Sequence, residues 1–309
     1  MRSPRKIDNR PVLRMDEHFR AYTFVDRITS IEDGMRIRGA YAIPADLALF
    51  PLPLLAESVG QLAAWAAMAA VNFERRPVAG IAGGIDLLAP AKPGETLELQ
   101  AELESVDREA VAYGGTALVN GNPVIRLEHC VGPMLPMEEF EDPQIARNRF
   151  ALLRENGAEP GTFRGLPAIS GTRTSGEIGK WLRATLDVPE AAPFFADHFP
   201  RRPVFPGTLL MHINLQLVTA LANEIPRPAN GTPWMVRRVS DVKLRAFIAP
   251  GEALELEVRL TEQTENSASM SVKIQKGTKT IGGARIFLAP QEPVLPARRG
   301  GSGGRIDRP

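Results

Sequence analysis

The chain has 309 residues, room for two ordinary domains or one large one, and 44% of them are apolar, enough to build packed cores and to exclude a disordered polymer. The single cysteine, Cys130, excludes an internal disulfide and has no metal-ligand spacing around it, so it reads as a buried strand residue in a reducing, cytoplasmic compartment. The formal charge of +1 conceals an asymmetry: residues 1–142 hold 14 Lys and Arg against 21 Asp and Glu, a net −7, and the remainder carries +8. Either the halves balance each other by docking, or the basic half faces an acidic partner.

Residues 1–19 alternate charges and prolines with isolated apolar residues, which predicts a loose arm and no signal peptide. Residues 52–71, "LPLLAESVGQLAAWAAMAAV", approach the length of a membrane span, but Glu57 and Gln61 sit inside the stretch. A helix that is apolar nearly all round and enclosed in a protein core is the better reading. Glu57 stands there with Leu54, Leu55 and Val59 around it, and Gln61 lies four residues on, one turn along the same face. Burial favours the uncharged acid, which makes Glu57 a candidate proton donor; the plain alternative is a buried glutamate held by Gln61 or by an arginine such as Arg75 or Arg76.

The connector "DPQIARNRFALLRENG" offers Asp142 as N-cap, Pro143 at the first helical position and Gly157 as a stop, so residues 136–177 are expected to be a linker with one helix. In the following half, "FFADHFPRRPVFPGTLLMHINLQ" sets His198 among Phe194, Phe195 and Phe199, with Pro200, Pro203 and Pro206 stiffening the loop. A neutral imidazole held rigidly suits a general base near pH 7; alternatively the ring fills the loop and bonds to backbone. Gly207 opens a second apolar helix, whose first N–H groups lack internal partners and could hold an oxyanion; a Pro-Gly at that point is also an ordinary turn. The final stretch, residues 291–309, reads as a disordered tail.

The chain is written twice. "PGETLELQAEL" at 93–103 recurs as "PGEALELEVRL" at 250–260, and Phe50-Pro51, Leu54-Leu55, Gln61 and Asp86 recur 155 residues later as Phe205-Pro206, Leu209-Leu210, Gln216 and Asp241. Each half orders short strands, a proline-rich loop, one long apolar helix, then several strands. The expected class is α+β, a helix cradled by an antiparallel sheet and made twice, over residues 20–135 and 178–290.

"DHFPRRPVFPG", followed by an apolar helix with glutamine nine residues after the glycine, resembles the signature of bacterial 3-hydroxyacyl-acyl-carrier-protein dehydratases, which have the hot-dog fold. "FVDRITSIEDGMRIRG" at 24–39 and the Asp86–Leu103 stretch are similar to the same family. The resemblance implies two tandem hot-dog units forming an intramolecular pseudo-dimer. In that family the histidine and an acidic helix residue come from opposite subunits, the acid five positions after the motif glycine. That position is His212 in the second half and Glu57 in the first, while the partner of His198 at the repeat offset is Ile43. The resemblance therefore implies one composite site, His198 with Glu57, and one dead site, Ile43 with His212.

The implied reaction is dehydration of a 3-hydroxyacyl thioester to the trans-2-enoyl thioester, with His198 as base, Glu57 as acid and the Gly207 N–H on the thioester oxygen. Phe199, Gln61, Arg201 and Arg202 are expected at the substrate, which lies in an apolar tunnel between the helices. No metal or redox cofactor is expected, phosphopantetheine being carried by the substrate. The expected partner is an acyl carrier protein or a coenzyme A thioester, not nucleic acid, with further self-association left open. Arg201 and Arg202, with Arg237 and Arg238, could form a docking rim for an acidic carrier, or could pair with the acidic first half. Arg201 and Leu52 depart from the family's small loop residue and glycine. A hot-dog acyl thioesterase and a non-catalytic acyl-thioester binder are the alternatives.

Overall fold

The computed structural model describes residues 21–159 and 163–291; the predicted arm and nearly all of the predicted tail lie outside them. The first half runs β1 (Arg27–Glu32), β2 (Arg36–Ala42), α1 (Leu52–Ala70), β3 (Arg75–Pro77), β4 (Ile81–Leu87), β5 (Thr96–Val106), β6 (Ala110–Val119) and β7 (Asn122–Pro136). A connecting helix α2 (Pro143–Glu155) leads to β8 (Thr172–Glu177), β9 (Trp181–Asp187), α3 (Gly207–Ala222), β10 (Trp234–Leu244), β11 (Ala253–Gln263), β12 (Ala268–Lys276) and β13 (Lys279–Pro290).

The strands form one antiparallel sheet in the order β1-β2-β5-β6-β7-β4-β10-β13-β12-β11-β9-β8, with β3 paired to β7. The order is a palindrome of equivalents: β1 answers to β8, β2 to β9, β5 to β11, β6 to β12, β7 to β13 and β4 to β10. The two units join where β4 pairs with β10, from Arg238 opposite Asp86 to Lys243 opposite Ile81. Period-two burial in β5 and β11, with Leu97, Leu99 and Ala101 inward in one and Leu254, Leu256 and Val258 in the other, turns one face of each strand to the core. Helix α1 packs against β2, β5, β6 and β7, α3 against β9, β10 and β11, and the helices touch each other. This is the helix-and-sheet unit made twice that the repeat implied, and the double hot-dog architecture that the resemblance implied. No helix among the described residues is long and apolar enough to cross a membrane; residues 52–70 form the enclosed core helix.

Helix α2 has the predicted caps. Asp142 Oδ1 accepts from the Gln144 N–H at 2.8 Å, and Gly157, at φ +78°, donates its N–H to the Leu152 carbonyl. The second unit, however, begins at Thr172 and not at 178: β8 is the outermost strand, and none of its residues is buried. Its sequence, "TRTSGE", therefore carries no alternation by which a strand could be recognised.

Register also corrects the pairing of Ile43 with His198. The Ile43 N–H donates to the Glu95 carbonyl and its carbonyl accepts from the Gly94 N–H; in the second unit Val188 makes the same two bonds, with Glu252 and Gly251. Ile43 is thus equivalent to Val188. Between the end of β2 and α1 lie the nine residues 43–51, and between the end of β9 and α3 the nineteen residues 188–206. The first unit lacks the ten-residue excursion that carries the histidine, so it has no equivalent of the loop, nor of the side chain.

Candidate active site

That excursion forms a short 3-10 turn, Pro193–Ala196, and then the histidine loop. Phe194 and Phe205 are buried in the main core, while Phe199 packs with Val78, Phe140 and Val204. The loop closes on itself where the Val204 N–H donates to the His198 carbonyl. The same valine's carbonyl lies 3.0 Å from His198 Nδ1. A carbonyl can only accept, so Nδ1 carries the proton and Nε2 presents a lone pair. The ring stacks on Phe199 at 4.2 Å and meets the edge of Tyr22 at 5.6 Å. Burial pushes the His198 pKa below its ordinary value and the Arg76 charge adds to this, while Glu57 and the Val204 carbonyl act in the opposite sense.

Glu57 approaches from α1 of the other unit. Gln61 Nε2 donates to its Oε1 at 2.9 Å, and Thr208 Oγ1, from the first turn of α3, donates to its Oε2 at 2.6 Å. With its proton so used, Thr208 accepts from the Tyr22 hydroxyl at 2.5 Å. Gln61 is itself fixed: its Oε1 accepts from the Phe24 N–H at 2.9 Å and its Nε2 donates to the Tyr22 carbonyl at 3.0 Å. Asp197, next to the histidine, accepts the Ala21 and Tyr22 N–H groups on Oδ2 at 2.9 and 2.8 Å. Residues 21–24 therefore tie the histidine loop, α1 and α3 together.

His198, Glu57, Gln61, Phe199 and Gly207 all line one cavity of about 450 Å³ that runs between the two helices. The wall beyond them is mainly apolar, with Trp65, Met68, Leu127, Leu215, Val272 and Ile286 among its residues. The His198–Phe199 peptide is cis. Arg201 and Arg202 are not brought to this cavity. Arg201 donates to the Glu138 carbonyl and lies 3.6 Å from Asp142, and Arg202 pairs with Glu139 at 2.7 Å while lying over Phe247. The reason is electrostatic: the acidic run 138–142 of the connector passes beside the loop and takes both guanidinium groups. Arg238 likewise pairs across the unit junction with Asp86 and Glu128, and Arg237 donates to the Pro290 carbonyl.

His212 and Ile43 form no comparable site. Ile43 is a core residue, and His212 is half-buried on α3 with Nε2 3.2 Å from the Gln216 amide nitrogen. Sequence reasoning missed Tyr22, Thr208 and Asp197, and named Arg76 only as a possible holder of Glu57, whereas its guanidinium hydrogen-bonds Glu141. Their partners lie far away in the chain, 151 residues away for the Thr208–Glu57 bond, and only the repeat, by superposing Thr208 on the first turn that faces Glu57, could have pointed to one of them.

Fold and site together define a hot-dog protein with a histidine and a carboxylate in one cleft. The comparisons agree. Residues 175–284 match the family model of the ApeI-like dehydratases, described as ApeI dehydratase. The chain is 30% identical over 114 residues to the FabZ 3-hydroxyacyl-[acyl-carrier-protein] dehydratase of Tolumonas auensis, covering 37% of this chain and 72% of that protein. It is 30% identical over 101 residues to the FabZ of Lactiplantibacillus plantarum, covering 33% and 68%. Of the Pasteurella multocida FabZ, at 29% identity, the match spans 57%. Among solved structures, a putative oleoyl thioesterase from Lactobacillus plantarum shares the fold at TM-score 0.56 and 9% identity, over 84% of this chain and 98% of that one. A MaoC-like dehydratase does so at TM-score 0.51 and 14% identity, over 84% and 98%. The chain belongs to the ApeI/FabZ-like dehydratase family, with the family's domain in its second half.

Proposed function

We propose that the protein dehydrates a 3-hydroxyacyl thioester to the trans-2-enoyl thioester at a single composite site. The observation that carries this reading is the convergence, in one apolar cavity, of a neutral imidazole with Nε2 free to accept and a carboxyl group held at both oxygens by Gln61 and Thr208. His198 Nε2 takes the C2 proton, which the thioester carbonyl acidifies. As the C2–H electrons form the C2–C3 double bond, the C3–O bond breaks, and protonated Glu57 delivers its proton to the departing hydroxyl, which leaves as water. The Gly207 N–H, at the first position of α3, stabilises the charge that gathers on the thioester oxygen.

The carrier of the acyl group is an acyl carrier protein or coenzyme A, and the setting is fatty acid or related lipid synthesis. Depositing short 3-hydroxyacyl thioesters and following both enoyl absorbance and free thiol tests the proposal. Dehydration without thiol release, lost in His198→Ala, supports it. Thiol release that survives His198→Ala would indicate the thioesterase reaction, and absence of both would indicate a binding protein.

A further inference from the structure

The cavity continues past the reacting groups along α3, and one residue there is out of keeping with its wall. Gly207, Leu210 and Asn214 fall at i, i+3 and i+7, so they share one face of the helix, and all three line the cavity. Beyond the first turn of α3, the buried residues that line the cavity from the second unit are Leu210, Leu215, Val239, Val272, Ile274 and Ile286, all apolar, and Asn214. Asn214 is 5% exposed, and its Oδ1 has no hydrogen-bond partner among the described residues.

The repeat shows what the fold alone asks for at this place. Asn214 answers to Val59 at the offset of 155 that relates Leu54-Leu55 to Leu209-Leu210 and Gln61 to Gln216. Val59 is fully buried, does not line the cavity, and packs so closely on β6 that a Cβ added to Gly115 would stand 2.5 Å from its Cγ1. Pairing register makes Val272 the equivalent of Gly115, since Gly115 lies opposite Ala101 and Val272 opposite Val258, and Val272 lines the cavity with Asn214. The place is thus closed by apolar packing in the first unit and borders the cavity in the second, with an amide instead of the valine. A buried amide without a partner destabilises a fold, and a valine does not. Water is a poor partner there, since an enclosed water needs about two to four polar contacts and the buried side chains around the amide are apolar.

We infer that Asn214 is a hydrogen-bonding subsite for the far part of the acyl chain, selecting 3-hydroxyacyl thioesters that carry a second hydroxyl about 10 Å from the thioester oxygen, the helical rise of the seven residues from Gly207 to Asn214. The inference rests on the dehydratase reading for the thioester and for Gly207 as its anchor; the unpaired amide and its cavity stand without it. A hydroxyl both donates and accepts, so it satisfies the amide whichever way that group is turned. The amides of a pantetheine arm offer similar chemistry, but the arm must leave for solvent, whereas Asn214 lies among lining side chains that are each at most 9% exposed.

The test compares three pantetheine thioesters on the full chain: 3-hydroxydecanoyl, 3,9-dihydroxydecanoyl, and 3,5-dihydroxydecanoyl as the positional control. The wild type should dehydrate the 3,9-compound with kcat/KM about 10-fold or more above that for the plain chain, and the 3,5-compound with no such gain. Asn214→Leu, which keeps a branched shape and removes the amide, should reverse the preference chiefly through KM, because the far hydroxyl then enters an apolar pocket. Asn214→Val, which carries the first unit's residue, repeats the comparison if the leucine variant folds poorly. No preference in the wild type, a preference that survives either substitution, or an equal loss on all three substrates, which would set Asn214 against the pantetheine arm, would overturn the subsite; dehydration of the plain chain would leave the dehydratase reading standing in each case. If none of the three is dehydrated, calorimetry with decanoyl- and 9-hydroxydecanoyl-pantetheine decides: tighter binding of the hydroxylated chain that is lost in Asn214→Leu upholds the subsite, and equal binding refutes it.

Discussion

The two units share a strand order, a central helix and a Pro-Gly turn, yet one brings a glutamate to the cavity and the other a histidine. In the first, α1 presents Glu57 with Gln61 one turn on; in the second, α3 presents His212 and Gln216 at the same places, with His212 Nε2 3.2 Å from the Gln216 amide nitrogen. The second inserts nineteen residues between strand and helix, and the first only nine. The two copies therefore share the framework that buries the helices and differ in what they bring to the cavity, Glu57 from one and His198 from the other.

The difference can be broken from the second unit first. His198→Ala should lower dehydration by about 10²-fold or more, whereas His212→Ala, at a side chain that does not line the cavity, should change it by less than about 2-fold. Rates of enoyl formation for the two variants make the comparison, and equal effects would remove the functional asymmetry.

The matched glutamines give a second contrast. Gln61→Ala strips Glu57 of a donor and leaves the Phe24 N–H and Tyr22 carbonyl without their partner, so unfolding by urea should show a loss of about 1–3 kcal/mol together with reduced kcat. Gln216→Ala should lose less than about 0.5 kcal/mol, as expected where only an exposed contact is removed.

The acid side of the pH profile sharpens the account of the base. With its pKa pushed below the usual histidine value by burial and then by Arg76, His198 stays neutral to lower pH than a free imidazole. The acid limb of kcat/KM should fall below pH 6.5, and Arg76→Gln, by removing a repelling charge, should move that limb upward for a neutral substrate. A limb at or above 6.5 in the wild type would contradict this.

Asp26, just before β1, stands where the second unit has Gly171 before β8. Burial raises its carboxyl to about 7, against which the Ala42 N–H works. A folded-state value above the unfolded one means that the native protein binds the extra proton, so stability declines as pH rises from about 4 to about 7 and then levels. Asp26→Asn should remove that decline: a Tm gain near zero at pH 4 and of a few degrees above pH 7, by calorimetry. A gain independent of pH would assign it to something other than the carboxylate.

Much of this was legible in the sequence because its causes are local or repeated. The duplicated "PGE" turns and strands, the apolar helices and the Asp142–Pro143 start each follow from short-range patterns, and Glu57 and His198 stood out by being polar in apolar company. What escaped lies between distant segments. Thr208 meets Glu57 only across the helix contact, residues 21–24 reach the site only after the chain has folded over it, and β8 shows no alternation because it buries nothing. Arg201 and Arg202 divide the two readings: proximity in sequence to His198 suggested contact with the substrate, but they lie outside the cavity and pair with Asp142 and Glu139, as the alternative of pairing with the acidic first half had it.

The central claim is that His198 of one unit and Glu57 of the other act on one substrate molecule, and a double-mutant cycle on kcat/KM tests it most directly. Groups that serve one concerted step are strongly non-additive. His198→Ala and Glu57→Gln should each cost about 10²-fold or more, and the double variant should be little worse than the poorer single one. Losses that multiply in the double variant, or a Glu57→Gln enzyme that keeps its activity, would contradict the composite site.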